Sequence, residues 1–175
     1  MKKRLIILSD LWGYQEHSWI DAYAATLKEF FDVQVYDCCV LGKVDKDPYT
    51  EQHLHQQFIA HGIEQAVETL LRLEKKEVFV LGFSVGGTIA WKAVARGLQA
   101  KQLFLVSATR VRYETERLTI PTSAYFGADD VNKPSADWLT KMVDQYVLLP
   151  KEDHECYTKV ENLKRICEDV LKATI

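Results

Sequence analysis

No apolar run in this chain approaches the roughly 20 residues that a membrane-spanning helix requires, which argues against a helical membrane protein. The basic start Met1-Lys2-Lys3-Arg4 is followed only by the short apolar run Leu5 to Leu8 before Ser9 and Asp10. That run is too short for the apolar region of a secretory signal, so a cytoplasmic location is expected. Cysteine is scarce. The four residues, at 38, 39, 156 and 167, form no C-x-x-C pair and no disulfide-rich framework. All four read as reduced thiols, with Cys167 packed in the core from a helix. A strong charge of either sign is also missing: the formal net charge is −3, which gives nucleic acid or an anionic membrane no electrostatic attraction as a partner. The eight glycines and four prolines build no linker, and no repeat or low-complexity tract is present.

Two nucleotide signatures are absent as well. Neither G-x-G-x-x-G nor G-x-x-x-x-G-K-[ST] follows an apolar run, which leaves a nucleotide-binding protein without its motif. His53, His55 and His61 lack the spacing and the companion Asp, Glu or Cys that would make a metal site. A polar helix face or a loop accounts for them better, and no metal is expected.

What remains is ordinary globular usage, 47% hydrophobic and 27% charged, in a chain long enough for one domain over residues 1–175. Short apolar runs alternate with amphipathic segments. Arg4–Leu8, Val33–Tyr36, Val78–Leu81, Leu103–Val106, Ser123–Phe126 and Tyr146–Leu149 read as strands, several apolar throughout, as strands covered on both faces are. Helical stripes run through Ile20, Tyr23, Ala24, Leu27, Phe30 and Phe31, with Ser18 and Asp21 placed as a capping box. Others run from Phe58 to Leu71, from Thr88 to Arg96 with a stop near Gly97, and from Val160 to Leu171. A shorter helix is expected from Ser135 to Val143, after Pro134, and Asp37 to Gln57 reads as a loop beside the cleft. This alternation predicts a three-layer α/β/α sandwich around a mostly parallel sheet of about six strands. Functional groups should gather at the carboxyl ends of those strands.

One segment stands out at such an end. Gly82-Phe83-Ser84-Val85-Gly86-Gly87 follows the strand Val78–Leu81 directly and opens the helix Thr88–Arg96. A serine on so sharp a strand-to-helix turn presents its hydroxyl above the sheet edge, and flanking glycines avoid collisions inside the turn. The helix amino end adds oriented N–H groups, including that of Val85, suited to a developing oxyanion.

The turn resembles the nucleophile elbow of the α/β-hydrolase family, and the resemblance extends from Arg4 to the last helix in a minimal form. It implies a nucleophile, an acid and a histidine in that chain order. Ser84 is then the nucleophile. Asp130, in Gly127-Ala128-Asp129-Asp130-Val131 after the fifth strand, is the acid, with Asp129 as the second choice. His154, in Pro150-Lys151-Glu152-Asp153-His154-Glu155 after the sixth, is the general base. The chemistry requires these types: imidazole takes the hydroxyl proton, and a carboxylate sets the tautomer and steadies the imidazolium.

The resemblance further implies a second oxyanion donor from the loop after the first strand. There Ser9-Asp10-Leu11-Trp12-Gly13 lacks the family's common His-Gly opening, and the backbone N–H of Leu11 or Trp12 is expected to serve. Two amino-terminal strands usual in the family are missing, and the segment before Pro121, where larger relatives insert a lid, is short. These features imply an open site for a small ester or thioester, with no cofactor. Trp12, Tyr14 and Phe83 are candidate pocket aromatics, and Arg110 a candidate ligand for a substrate anion. For Arg110 and Arg112 a solvated loop balanced by Glu114 and Glu116 is the plainer reading. A non-catalytic binding module on the same scaffold is the competing functional class.

Overall fold

The computed structural model describes residues 1–174; residue 175, included in the single-domain expectation, lies outside the described residues. Six strands form one sheet: β1 (Lys3–Leu8), β2 (Phe31–Tyr36), β3 (Val78–Phe83), β4 (Ala100–Val106), β5 (Thr122–Gly127) and β6 (Gln145–Leu149). Their order is β2-β1-β3-β4-β5-β6, and every adjacent pair is parallel. Each strand therefore returns through a crossover, and the helices cover both faces.

Side chains alternate between the two faces along each central strand. Ile6, Leu8, Val80, Leu105 and Phe126 point into one core, covered by α2 (Cys38–Gly42), α4 (Ile63–Leu73), α5 (Val85–Ala95) and α6 (Ala136–Met142). Leu5, Ile7, Leu81, Phe104 and Tyr125 point into the other, covered by α1 (Trp19–Leu27) and α7 (Val160–Lys172). The expected three layers are present, and the sheet is parallel throughout.

Three local expectations require correction. The segment 37–57 is not a plain loop: it contains α2 and α3 (Glu51–Gln57), the latter running through a π-turn at Phe58–Gly62 into α4. At five and seven residues, α2 and α3 are too short to display a helical period. Their caps hold them instead, with Asp37 accepting the Cys39 and Val40 N–H groups and Thr50 accepting that of His53. The first helix ends at Leu27, so Phe31 is the first residue of β2 and Phe30 is exposed. The Ser18–Asp21 capping box does not form. Asp21 accepts the His17 N–H and the Tyr14 hydroxyl, while the buried Ser18 Oγ has no partner among the described residues.

Candidate active site

Strand β3 ends at Phe83, and α5 begins at Val85, leaving a single residue for the change of direction. That residue is Ser84, with φ 52° and ψ −120°, in a left-handed region that a serine occupies only under constraint. The constraint comes from both sides. The Ser84 N–H donates to the Val106 carbonyl at 2.8 Å, continuing the β3–β4 ladder one residue past the strand. A methyl group on Gly82 would stand 2.6 Å from Gly87 Cα, and one on Gly86 would stand 2.6 Å from the Leu8 carbonyl oxygen. Glycine at both positions is thus a packing requirement.

The structure brings the three sequence-derived residues together. Ser84 Oγ lies 2.9 Å from His154 Nε2, and His154 Nδ1 lies 2.8 Å from Asp130 Oδ2. With the ring proton on Nδ1, facing the carboxylate, Nε2 is left to accept from the serine hydroxyl. Asp130 is 4% exposed, and its other oxygen accepts the Asn132 N–H at 3.0 Å. The His154 side chain is 38% exposed, which leaves water a path to the imidazole. Asp129 is exposed, its N–H donates to the Glu152 carbonyl, and its carboxylate is not on the imidazole. The backbone around His154 is tied down by Ser107 at the end of β4, whose hydroxyl donates to the His154 carbonyl at 2.6 Å. Ser107 also has a positive φ, 53°, and no local sequence signal marks it.

Opposite Ser84 lies the loop after β1. Leu11 lines the same cavity as Ser84 and Val85. The N–H groups of Leu11 and Val85 have no partner among the described residues. The Trp12 N–H is occupied, donating to Asp10 Oδ1 at 3.0 Å. Trp12 is thereby removed as an oxyanion donor. The Asp10 carboxyl group is pushed up to about 6, chiefly by burial, against the opposing pull of hydrogen bonds from Tyr157 and Trp12.

The cavity measures about 410 Å³. Leu11, Phe58, Ile63 and Val85 give it an apolar wall, and Ile59 and Val131, 48% and 91% exposed, extend that character to the rim. The segment around the π-turn supplies half of these apolar residues, Phe58, Ile59 and Ile63. Its residues read in sequence only as a helical stripe, because a cavity wall and a core face share one pattern. Three proposed pocket aromatics lie elsewhere. Phe83 is fully buried in the core on the α1/α7 face, since the turn points Ser84 up and its neighbour down. Tyr14 donates to Asp21 at 2.6 Å, and Trp12 packs edge-on against Tyr49 with ring centroids 5.1 Å apart. Arg110 does line the cavity and has no ion pair among the described residues. Arg112 instead bonds the Thr109 carbonyl and the Tyr113 hydroxyl. Glu114, the expected counter-charge of the two arginines, pairs with Lys92 at 2.8 Å.

All four cysteines are buried free thiols. Among the described residues, no group of three or more His, Cys, Asp or Glu side chains is placed to hold a metal ion. No described helix is long and apolar enough to cross a membrane.

Solved structures share this overall fold over nearly the full chain. A protein of the alpha/beta hydrolase superfamily from Xanthomonas campestris is 18% identical with a TM-score of 0.72, covering 98% of this chain and 99% of that one. The mouse alpha/beta hydrolase domain-containing protein 10 is 11% identical with a TM-score of 0.66, covering 98% and 90%. A bromoperoxidase from Bacillus anthracis is 13% identical with a TM-score of 0.65, covering 99% and 92%. No protein-family model matches the chain, nor does any curated protein. The chain has the α/β-hydrolase fold, in a minimal form with six parallel strands.

Proposed function

We propose that the protein is a serine hydrolase that cleaves a small carboxylic ester or thioester through an acyl-enzyme on Ser84. The observation that carries this reading is the unbroken relay from Ser84 Oγ through both His154 nitrogens to Asp130, with links of 2.9 and 2.8 Å. His154 removes the hydroxyl proton as Ser84 attacks the acyl carbon, and the N–H groups of Val85 and Leu11 receive the oxyanion. The imidazolium, steadied by Asp130, then protonates the leaving alkoxide or thiolate. Water enters by the exposed side of His154 and loses a proton to Nε2 as it attacks the acyl carbon. The imidazolium returns that proton to Ser84 Oγ as the acid leaves.

The apolar wall favours an acyl group of modest size, since a cavity of about 410 Å³ is in the range of small-molecule sites. Arg110 at the cavity offers a bidentate contact to an anionic group of the substrate. The scaffold does not select the reaction, because the same fold is found in proteins as different as a hydrolase and a bromoperoxidase.

The test is labelling with a fluorophosphonate probe beside turnover of nitrophenyl esters of rising chain length. The expected result is labelling and turnover in the native protein and neither in Ser84→Ala. Labelling that persists in Ser84→Ala removes Ser84 from this role. A folded native protein with neither labelling nor turnover indicates a binding protein on the same scaffold.

A further inference from the structure

The loop after β1 carries a buried carboxylate in place of the His-Gly opening, and both of its oxygens are engaged. Asp10 is 4% exposed. Its Oδ1 accepts the Trp12 N–H at 3.0 Å, and its Oδ2 accepts the Tyr157 hydroxyl at 2.9 Å. Tyr157 lies three residues past His154, and its ring meets the imidazole edge-on with centroids 6.3 Å apart. That ring is also packed against Phe83, the residue before Ser84, and against Trp19. Its carbonyl accepts the buried Tyr23 hydroxyl at 3.0 Å. One carboxylate therefore joins the loop facing Ser84 to the loop that carries the base, across 147 positions of sequence.

The rest of the β1 loop is pinned just as closely. The Asp10 carbonyl accepts the Gly13 N–H at 3.2 Å and the Ser9 hydroxyl at 3.0 Å. The thiols of Cys38 and Cys39 donate to the Ser9 and Leu11 carbonyls, each at 3.1 Å. In a trans peptide the carbonyl and the following N–H point opposite ways. Fixing the Asp10 carbonyl on one side thus aims the Leu11 N–H to the other, where no partner occupies it among the described residues.

We infer that Asp10 is a positioning residue for acyl transfer, orienting the Leu11 N–H as oxyanion donor and holding, through Tyr157, the His154 loop in register with it. This inference rests on the proposed reaction at Ser84. A carboxylate suits the task because it accepts from two donors on opposite sides at once; an amide offers a single acceptor atom. Burial makes its charged form costly, as the acid's upward shift to about 6 indicates, so the group is poorly explained as a contribution to stability.

Asp10→Asn, Tyr157→Phe and the double variant test this by steady-state hydrolysis of a nitrophenyl ester, with active sites counted by fluorophosphonate and melting followed by circular dichroism. Each single variant is expected to lose about 10- to 100-fold in kcat with KM held within about twofold. The double variant should be no worse than the poorer single, because both changes break one link. Asp10→Asn should melt no lower than the native protein. Unchanged kcat in both singles, losses that multiply in the double, or a fall in kcat explained by fewer active sites each overturns the inference. Should Asp10→Asn not fold, Tyr157→Phe alone decides it, since its ring and packing are retained. A native protein that neither takes the label nor turns over ester overturns the Ser84 reading and this inference together. A working native enzyme with both variants equal to it removes the inference alone.

Discussion

Two loops face each other across the cavity, and they are held in unlike ways. The turn at 82–87 is set by close backbone packing: glycine at 82 admits Gly87 Cα, glycine at 86 admits the Leu8 carbonyl of β1, and Ser84 takes the strained φ. The loop at 9–13 is set by side chains from far along the chain, those of Cys38, Cys39, Tyr49 and Tyr157. The first arrangement is steric and made by backbone; the second is built of hydrogen bonds, several from side chains distant in sequence. A turn of the first kind leaves a motif in the sequence, whereas a loop of the second kind leaves almost none.

The contrast is broken most severely at Ser84. Ser84→Ala is expected to reduce kcat by roughly 10⁴- to 10⁶-fold while the protein folds normally, measured by ester hydrolysis and circular dichroism. Equal activity in the variant would make the strained turn a packing feature only. Asp130→Asn should follow, with a loss of about 10⁴-fold, because an amide can favour the wrong imidazole tautomer. A loss below tenfold would place the acid's work elsewhere.

Gly86→Ala tests the steric half of the comparison directly. Its methyl group meets backbone, which cannot swing aside, so a loss of about 1–3 kcal/mol in urea unfolding is expected. Stability unchanged within error would show that the turn is not steric in origin.

The distant half is tested by pH. Asp10 has its acid group raised to about 6 in the fold against an ordinary value of 3.8, so the folded state holds its proton longer than the unfolded chain. Its contribution therefore favours folding below about pH 4, is lost as pH rises from about 4 to 6, and is flat above that. The slope amounts to roughly 2–3 kcal/mol and should vanish in Asp10→Asn, which should be the more stable protein at pH 8. Urea melts of both proteins at pH 4, 5 and 8 measure it. A native-minus-variant difference that does not change with pH would mean that Asp10 is not desolvated as the fold implies. The smallest effect is expected of Tyr14→Phe, with KM within about twofold, because that side chain bonds Asp21 and lies off the cavity.

Much of this was legible from residue order. The central strands announce themselves chiefly as apolar runs, because a strand covered on both faces is apolar almost throughout. The edge strands β2 and β6 are partly exposed. Ser84 is legible from its strand-to-helix turn. Asp130 and His154 are legible from the chain order of the α/β-hydrolases whose elbow the turn resembles, each following a strand whose end lies on the same edge of the parallel sheet. Other features were not. The helices α2 and α3 are too short to display a period, and their caps are single side chains. Phe58 and Ile63 form a cavity wall only because of what fails to pack against them, and Phe83 is drawn inward by the reversal at its neighbour. Trp12 is lost as a donor to a carboxylate two residues away, a bond that only the folded loop makes.

The sequence by itself determined the layer order and the turn that carries Ser84, which follow from hydrophobic pattern and local sterics. Asp130 and His154 followed from the resemblance to the α/β-hydrolase chain order. Only the tertiary structure decided which N–H groups are free beside Ser84 and which aromatic residues are core. Those outcomes depend on hydrogen bonds such as that between Asp10 and Tyr157, whose partners are neighbours in space alone. The turn at 82–87 shows its glycine pattern within six residues, whereas the loop opposite it acquires its geometry only once the chain has closed.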